Sequence, residues 1–215
     1  PEWRATDANG RVYELPIAMQ LKDFTIEEYP PKLMLVDAKT GDPIPKEKPT
    51  TILLDSTFTT GNLQGWSVKL NKRIDEAAPL MTRDTTNYLP WHSSGAMSAV
   101  NITATSPNGK LTKTGWVTCG SYHFPYQVLS LDGKISIAMP EREPQRYLSS
   151  VELMTQAGLH AFADIEVNRP LSVEGWKIYQ LSYDTSMGRW SETSVLELVR
   201  DPWLPFVYAG LGMMM

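Results

Sequence analysis

The sequence predicts an all-β fold, an antiparallel β-sandwich or partly open barrel of eight or more short strands with few short helices. Three observations carry this expectation. The dominant hydrophobic period is two, the apolar runs are short, and clusters of Gly with Asp, Asn, Pro or Ser separate them. With 16 Pro and 14 Gly in 215 residues the chain is rich in turns, while 42 % apolar and 20 % charged residues is the balance of a chain that folds rather than one that stays disordered.

Taken in order, the first alternation runs from Tyr13 through Leu15, Ile17, Met19 and Leu21, the pattern of a half-buried strand. The apolar phase then moves to Phe24 and Ile26, so a bulge or bend near Asp23 has to absorb one residue. KTGDPIPKEKP, with three prolines and three lysines, reads as an exposed loop. Strand-like runs recur as TTILLDS, GWSVKL, SAVNITAT, KISIAMP, SSVELMT, AFADIEVN, GWKIYQLSY and SVLELV. Between them TGDP, TTGN, SPNG, LDGK and SMGR are expected to be hairpin loops. The best helical candidates are Ile74–Met81 and Leu153–His160. No internal repeat of fixed length stands out.

GWKIYQLSYD carries bulk on both faces, with Tyr179, Leu181 and Tyr183 on one and Trp176, Ile178, Gln180 and Ser182 on the other. Such a strand belongs in the middle of a sheet with cover on each side, and DTSMGR should turn the chain back into SVLELV as its hairpin partner.

A formal charge of −4 with 20 scattered basic residues leaves no basic stripe, so nucleic acid is not expected as a partner. Cys119 is the only cysteine, which excludes an internal disulfide and a two-thiol redox cycle. The histidines, His92, His123 and His160, are 31 and 37 residues apart and match no compact metal motif, so no metal site is expected. No pairing of carboxylates is inferable either, and no catalytic residue is assigned. The apolar stretch LPFVYAGLGMMM has two readings, a last core strand with its tail or the first part of a membrane helix.

The string IEVNRPLSVEGWKIYQLSYD, followed by MGRWS and LVRDPWLPFVYAGLGMMM, resembles the signature of the ResB-like family of cytochrome c biogenesis proteins. The resemblance rests on Asn168, Pro170, Gly175, Tyr179, Gln180, Tyr183, Asp184, Asp201 and Pro202. LPIAMQLKDFTIEEYPPKLMLVD and PQRYLSSVELM agree with the family more loosely, and the middle of the chain least. The signature residues themselves read as architectural: Pro170 fixes a turn, Gly175 lets a strand begin at a bend, and Asn168 and Asp184 suit turn caps.

The resemblance implies an extracytoplasmic β-rich domain over residues 1–205, with 55–140 as a candidate branch-specific elaboration and 206–215 as the start of a membrane helix. It places the chain at the periplasmic or extracytoplasmic face of the cytoplasmic membrane, anchored by flanking helices. The partners it implies are a ResC-type haem-handling membrane protein and apocytochrome c. The cofactor it implies is haem, held chiefly by membrane segments or by the partner. Within this chain the candidate haem contacts are His123, His92, Tyr122 and Trp91, because imidazole is a natural axial ligand and neighbouring rings offer a flat apolar wall. The plainer reading of each is a loop or strand residue packed among aromatics. An alternative from another class is an extracytoplasmic β-sandwich binding module, for carbohydrate for example, with Trp66, Trp91 and Trp116 as stacking platforms.

Overall fold

Short alternating runs closed by Gly turns become hairpins, and the hairpins stack into sandwiches. The computed structural model describes residues 3–6, 9–83, 85–203 and 213. It divides into two compact units, one made by Pro1–Glu27 with Pro144–Met215, the other by Glu28–Glu143. The architecture is all-β, as the period of two requires.

In the first unit, β1 (Arg4–Thr6) and β2 (Val12–Glu14) form a small hairpin before β3 (Ile17–Glu28). The inserted unit then contributes β4 (Lys32–Asp37), β5 (Pro43–Ile44), β6 (Thr51–Leu53), β7 (Thr60–Leu63) and β8 (Trp66–Met81). It continues with β9 (Thr86–Pro90), β10 (Met97–Thr105), β11 (Thr112–Thr118), β12 (Leu129–Ser130) and β13 (Ile135–Ala138). The chain returns to the first unit through β14 (Pro144–Thr155), β15 (His160–Glu166), β16 (Leu171–Val173), β17 (Trp176–Tyr183) and β18 (Ser194–Val199).

The inserted unit is built from two five-stranded sheets, β11-β10-β8-β7 with β9 beside β8, and β12-β13-β4-β5 with β6 beside β4. Its core draws on both: Leu33 and Leu35 from β4, Val68 from β8, Val100 and Ile102 from β10 and Ile137 from β13. Each such fully buried side chain contributes about 1.5–3 kcal/mol of transfer free energy. The two ends of the unit meet, since the Tyr29 N–H donates to the Glu143 carbonyl at 3.0 Å and Arg142 pairs with the Glu28 carboxylate at 3.1 Å. Where β8 and β9 run on beyond the rest of their sheet, Trp91 N–H donates to Glu76 O. By the alternation of the ladder, Pro79 and Pro90 then stand at positions that donate nothing across it, where a missing N–H costs no bond and the edge is blunted.

The first unit carries two three-stranded sheets, β15-β14-β3 and β16-β17-β18. Ile17, Val151, Leu153 and Ile165 of the first and Val173 and Ile178 of the second make one core. β17 is the middle strand, as its bulk predicts.

Several local expectations need correction. Ile74–Met81 is strand, not helix: it is the second half of β8. Ladder partners Met97↔Ala77 and Ala99↔Ile74 place three residues of β8 against two steps of β10, and this irregularity gives buried Ile74 and Ala77 a helix-like spacing. Leu153–His160 is the end of β14, a turn and the start of β15, closed by Thr155 N–H to Leu159 O. TTGN is not a turn; Thr60–Leu63 is β7, and Gly61 is there because Ile52 and Phe58 pack within 2.9 Å of where a Cβ would stand. The turn comes one step later, at Gln64 and Gly65, both with positive φ. Tyr13 and Leu15 do not belong to the strand of Ile17–Leu21, because the pairing is interrupted at Leu15 and Pro16. Within β3 the burial does shift phase where expected, with Lys22 and Asp23 adjacent and both exposed.

The faces of β17 are also corrected. Gln180 pairs with Leu196 and Ser182 with Val195, so Leu181 is an extra residue in the ladder. Tyr183 thereby moves onto the face of Gln180, opposite Ser194, while Leu181 is 57 % exposed. The cover expected over both faces is therefore incomplete among the described residues.

Candidate functional site

Two loops of the inserted unit converge. One follows β9 (Trp91–Ala96), the other follows β11 (residues 120–126). Ser121 Oγ donates to the Gly95 carbonyl at 2.6 Å and accepts from the His123 and Phe124 N–H groups, while Ser94 Oγ and Tyr122 Oη are 2.6 Å apart. Gly95, at φ +86°, is what lets the loops touch, since a Cβ there would lie 2.8 Å from the His123 Cβ.

The result is a run of four rings. Tyr122 meets His123 edge-on at 6.0 Å between centroids, His123 meets Phe124 at 4.8 Å, and Phe124 meets Trp91 at 5.4 Å. Trp91 and Tyr122 are both partly exposed, 39 % and 46 %, so the strip is open to a ligand. His92 stands next to Trp91, with Nδ1 at 2.7 Å from a Glu76 carboxylate oxygen and most of its ring in solvent. That bond leaves Nε2 as the nitrogen a ligand can reach. Of the four residues singled out from the sequence, Trp91, Tyr122 and His123 share the strip, and His92 follows Trp91 in the chain with its ring on Glu76. Nothing local in the sequence signals that Glu76, Ser94, Gly95 and Ser121 position them, because these contacts span up to 28 positions of chain.

Beside the strip, Cys119 and Tyr126 also border a cleft of about 470 Å³ lined by Met34, Val36, Met139 and Pro140. The Cys119 thiol is half-buried, contacts the Ser98 and Gly120 carbonyls, and burial pushes its pKa up, which keeps it protonated and weakly nucleophilic. Among the described residues no group of three or more His, Cys, Asp or Glu is placed to hold a metal ion. The tryptophans of the carbohydrate alternative are mostly spent on packing: Trp66 is buried in the core and Trp116 packs on Tyr88 at 5.2 Å, leaving Trp91.

The signature residues lie in the first unit, away from these loops in sequence and with a different chemistry. Asn168 has φ 64° in the turn closed by Arg169 N–H to Glu166 O, a left-handed position Asn tolerates. Pro170 is half-buried at the entry to β16. Glu174 and Gly175, φ 47° and 80°, form the two-residue turn between Val173 and Trp176 that matches strand twist. Gln180 is buried, accepts from Ser149 Oγ, and donates to the Ser182 carbonyl at 3.0 Å and Ser194 Oγ at 2.9 Å, tying β17 to β18 and to β14 of the facing sheet. Tyr183 packs against Tyr147 and Phe24, at 5.1 and 5.5 Å. Tyr179, opposite Glu197, is half-buried. Asp184 accepts from Ser186 N–H and Oγ, bonds that hold its carboxyl below the usual range. Asp201 accepts from Trp203 N–H at 2.9 Å, across Pro202. The 206–215 segment lies, apart from Met213, outside the described residues. His160 is on the first unit too, with Nε2 on Glu152.

Fold and site together define an all-β architecture with a partly exposed strip of aromatic rings among the described residues. Within that class, residues 117–193 match the model of the ResB-like family, in agreement with the resemblance of the sequence, and the match supports a role in cytochrome c biogenesis in general. It opens at Val117, so it takes in the His123 loop as well as Asn168–Asp184, and it ends before Asp201. No curated protein matches the chain.

Proposed function

We propose that this chain is the extracytoplasmic domain of a ResB-like membrane protein in c-type cytochrome maturation, supporting haem delivery and haem attachment to apocytochrome c together with a ResC-type partner. The observation that carries this reading is the family match, which covers both the signature strand and the loop of Tyr122, His123 and Phe124. Haem is the cargo in this reading, held chiefly by membrane segments or by the partner. In this chain the ring strip and His92 are its candidate contact: the rings offer a planar apolar face, and His92 offers an imidazole whose other nitrogen is already held by Glu76.

The test is genetic. A strain lacking the gene is expected to lose covalent haem on its c-type cytochromes in a haem stain, and the wild-type gene to restore it. His92→Ala combined with His123→Ala is expected to restore less. Undiminished c-type cytochromes in the null strain would contradict the proposal.

A further inference from the structure

One end of the first unit gathers several exposed apolar side chains. Gln156, in the β14–β15 turn, donates its N–H to Pro16 O and its Nε2 to Leu15 O, so the start of β3 lies at this turn. Thr155 Oγ1 donates to Glu174 Oε1 at 2.8 Å, which brings in the β16–β17 turn. Val199 pairs with Lys177, placing the end of β18 there as well. Residues on both sides of this unit's chain, Leu15 leading back to β1–β2 and Val199 leading on to Trp203, therefore leave from the same pole. The Asp184–Ser191 loop is at the other end of the β17–β18 hairpin.

The chemistry of the pole is amphipathic. Leu159, Val199 and Trp203 are exposed there, Trp203 at 69 %, and the β1–β2 hairpin adds exposed Val12 and Tyr13. Arg200 lies over the Trp176 ring at 5.7 Å and Lys177 stands beside Val199, with Glu14, Glu174 and Asp201 as the acidic groups of the same end. Exposed Trp and Tyr among aliphatic and cationic side chains is the make-up of a surface at lipid headgroup depth. One residue beyond Trp203 the sequence turns apolar and stays so from Leu204 to Met215.

From this placement we infer that the pole carrying Leu159, Val199 and Trp203 seats against the headgroup region of a phospholipid bilayer. The inference rests on reading 206–215 as the start of a membrane helix, and it adds which face of the first unit meets the lipid. The opposite pole, at Ser186, faces away.

The test uses the whole 215-residue chain in a Cys119→Ser background with vesicles of phosphatidylcholine and phosphatidylglycerol. Flotation reports whether the apolar segment anchors the chain. Single cysteines, Leu159→Cys, Trp203→Cys and Ser186→Cys, carry an environment-sensitive fluorophore, in variants that keep the parent melting temperature. The expected result is flotation, with a blue shift and brighter emission at 159 and 203 and none at 186. Flotation with all three labels in water leaves the anchor standing and overturns the inference, as does flotation with all three shifted. A chain that fails to float overturns the anchor and the inference with it.

Discussion

The two units use the same four-residue hairpin, Leu63-Gln64-Gly65-Trp66 in one and Val173-Glu174-Gly175-Trp176 in the other, and use it for different ends. Both turns put two successive residues at positive φ, which matches the twist of the flanking strands. In the inserted unit the turn is packed in: Trp66 is in the core, Gln64 Nε2 donates to the Ile44 carbonyl at 2.8 Å, and Pro107 crowds Gly65. In the first unit the space around Gly175 is open, Glu174 holds Thr155, and Trp176 is half-buried beneath Arg200. The local code sets the turn, and the tertiary surroundings decide what its Trp does. The cores differ too, the inserted unit's drawing mainly on aliphatic side chains with Trp66 among them, while the first unit's adds a Ser149–Gln180–Ser194 knot that ties its two sheets.

The largest effect expected from this contrast is in the aliphatic core. Leu33→Ala should cost the inserted unit about 2–5 kcal/mol in denaturant unfolding, since the site is fully enclosed. A loss well below that range would mean the core is looser than its packing. Next, Gln180→Ala should cost the first unit about 1–3 kcal/mol, because Ser149, with no exposure, loses a partner it cannot replace with water. Gln180→Ala behaving as a neutral change would show that the signature glutamine has no architectural role.

The two turn glycines then separate the hairpins directly. Gly175→Ala should cost about 1–2 kcal/mol for the left-handed backbone alone. Gly65→Ala should cost more, because its Cβ would also stand 2.9 Å from Pro107. Equal losses in melting temperature would remove the distinction between a packed and an open turn.

The smallest effect is one of pH. The Glu152 carboxyl is held below its ordinary range, first by the hydrogen bond from Lys22 and then by that from His160. A depressed folded-state pKa gives stability that is complete above the unfolded value and is lost as pH falls through the folded one. The gap in melting temperature between wild type and Glu152→Gln should therefore be widest at neutral pH and narrow on acidification. A gap constant with pH would contradict that assignment.

Much of this fold was legible in the sequence. The period-two runs from SAVNITAT to SVLELV are strands, and the central place of GWKIYQLSY follows from its bulk. What was not legible has physical causes. The extra residue at Leu181 changes the face of Tyr183 without any Gly or Pro to announce it. The change of unit falls at Glu27–Glu28 and Glu143–Pro144, inside or beside strands with no shift in composition, while the Pro-rich KTGDPIPKEKP lies wholly inside the inserted unit. His92 and His123 are visible as residue types, but the meeting of their loops depends on Gly95 and Ser121, a contact that no local pattern encodes.

The proposed contact between the ring strip of the inserted unit and haem is read out by titrating the chain with ferrous and ferric haem and following the Soret band. A saturable one-to-one change at about micromolar affinity or tighter is expected, weakened by His92→Ala or His123→Ala and untouched by His160→Ala. A spectrum indistinguishable from free haem, or a saturable change that survives both replacements, would contradict it.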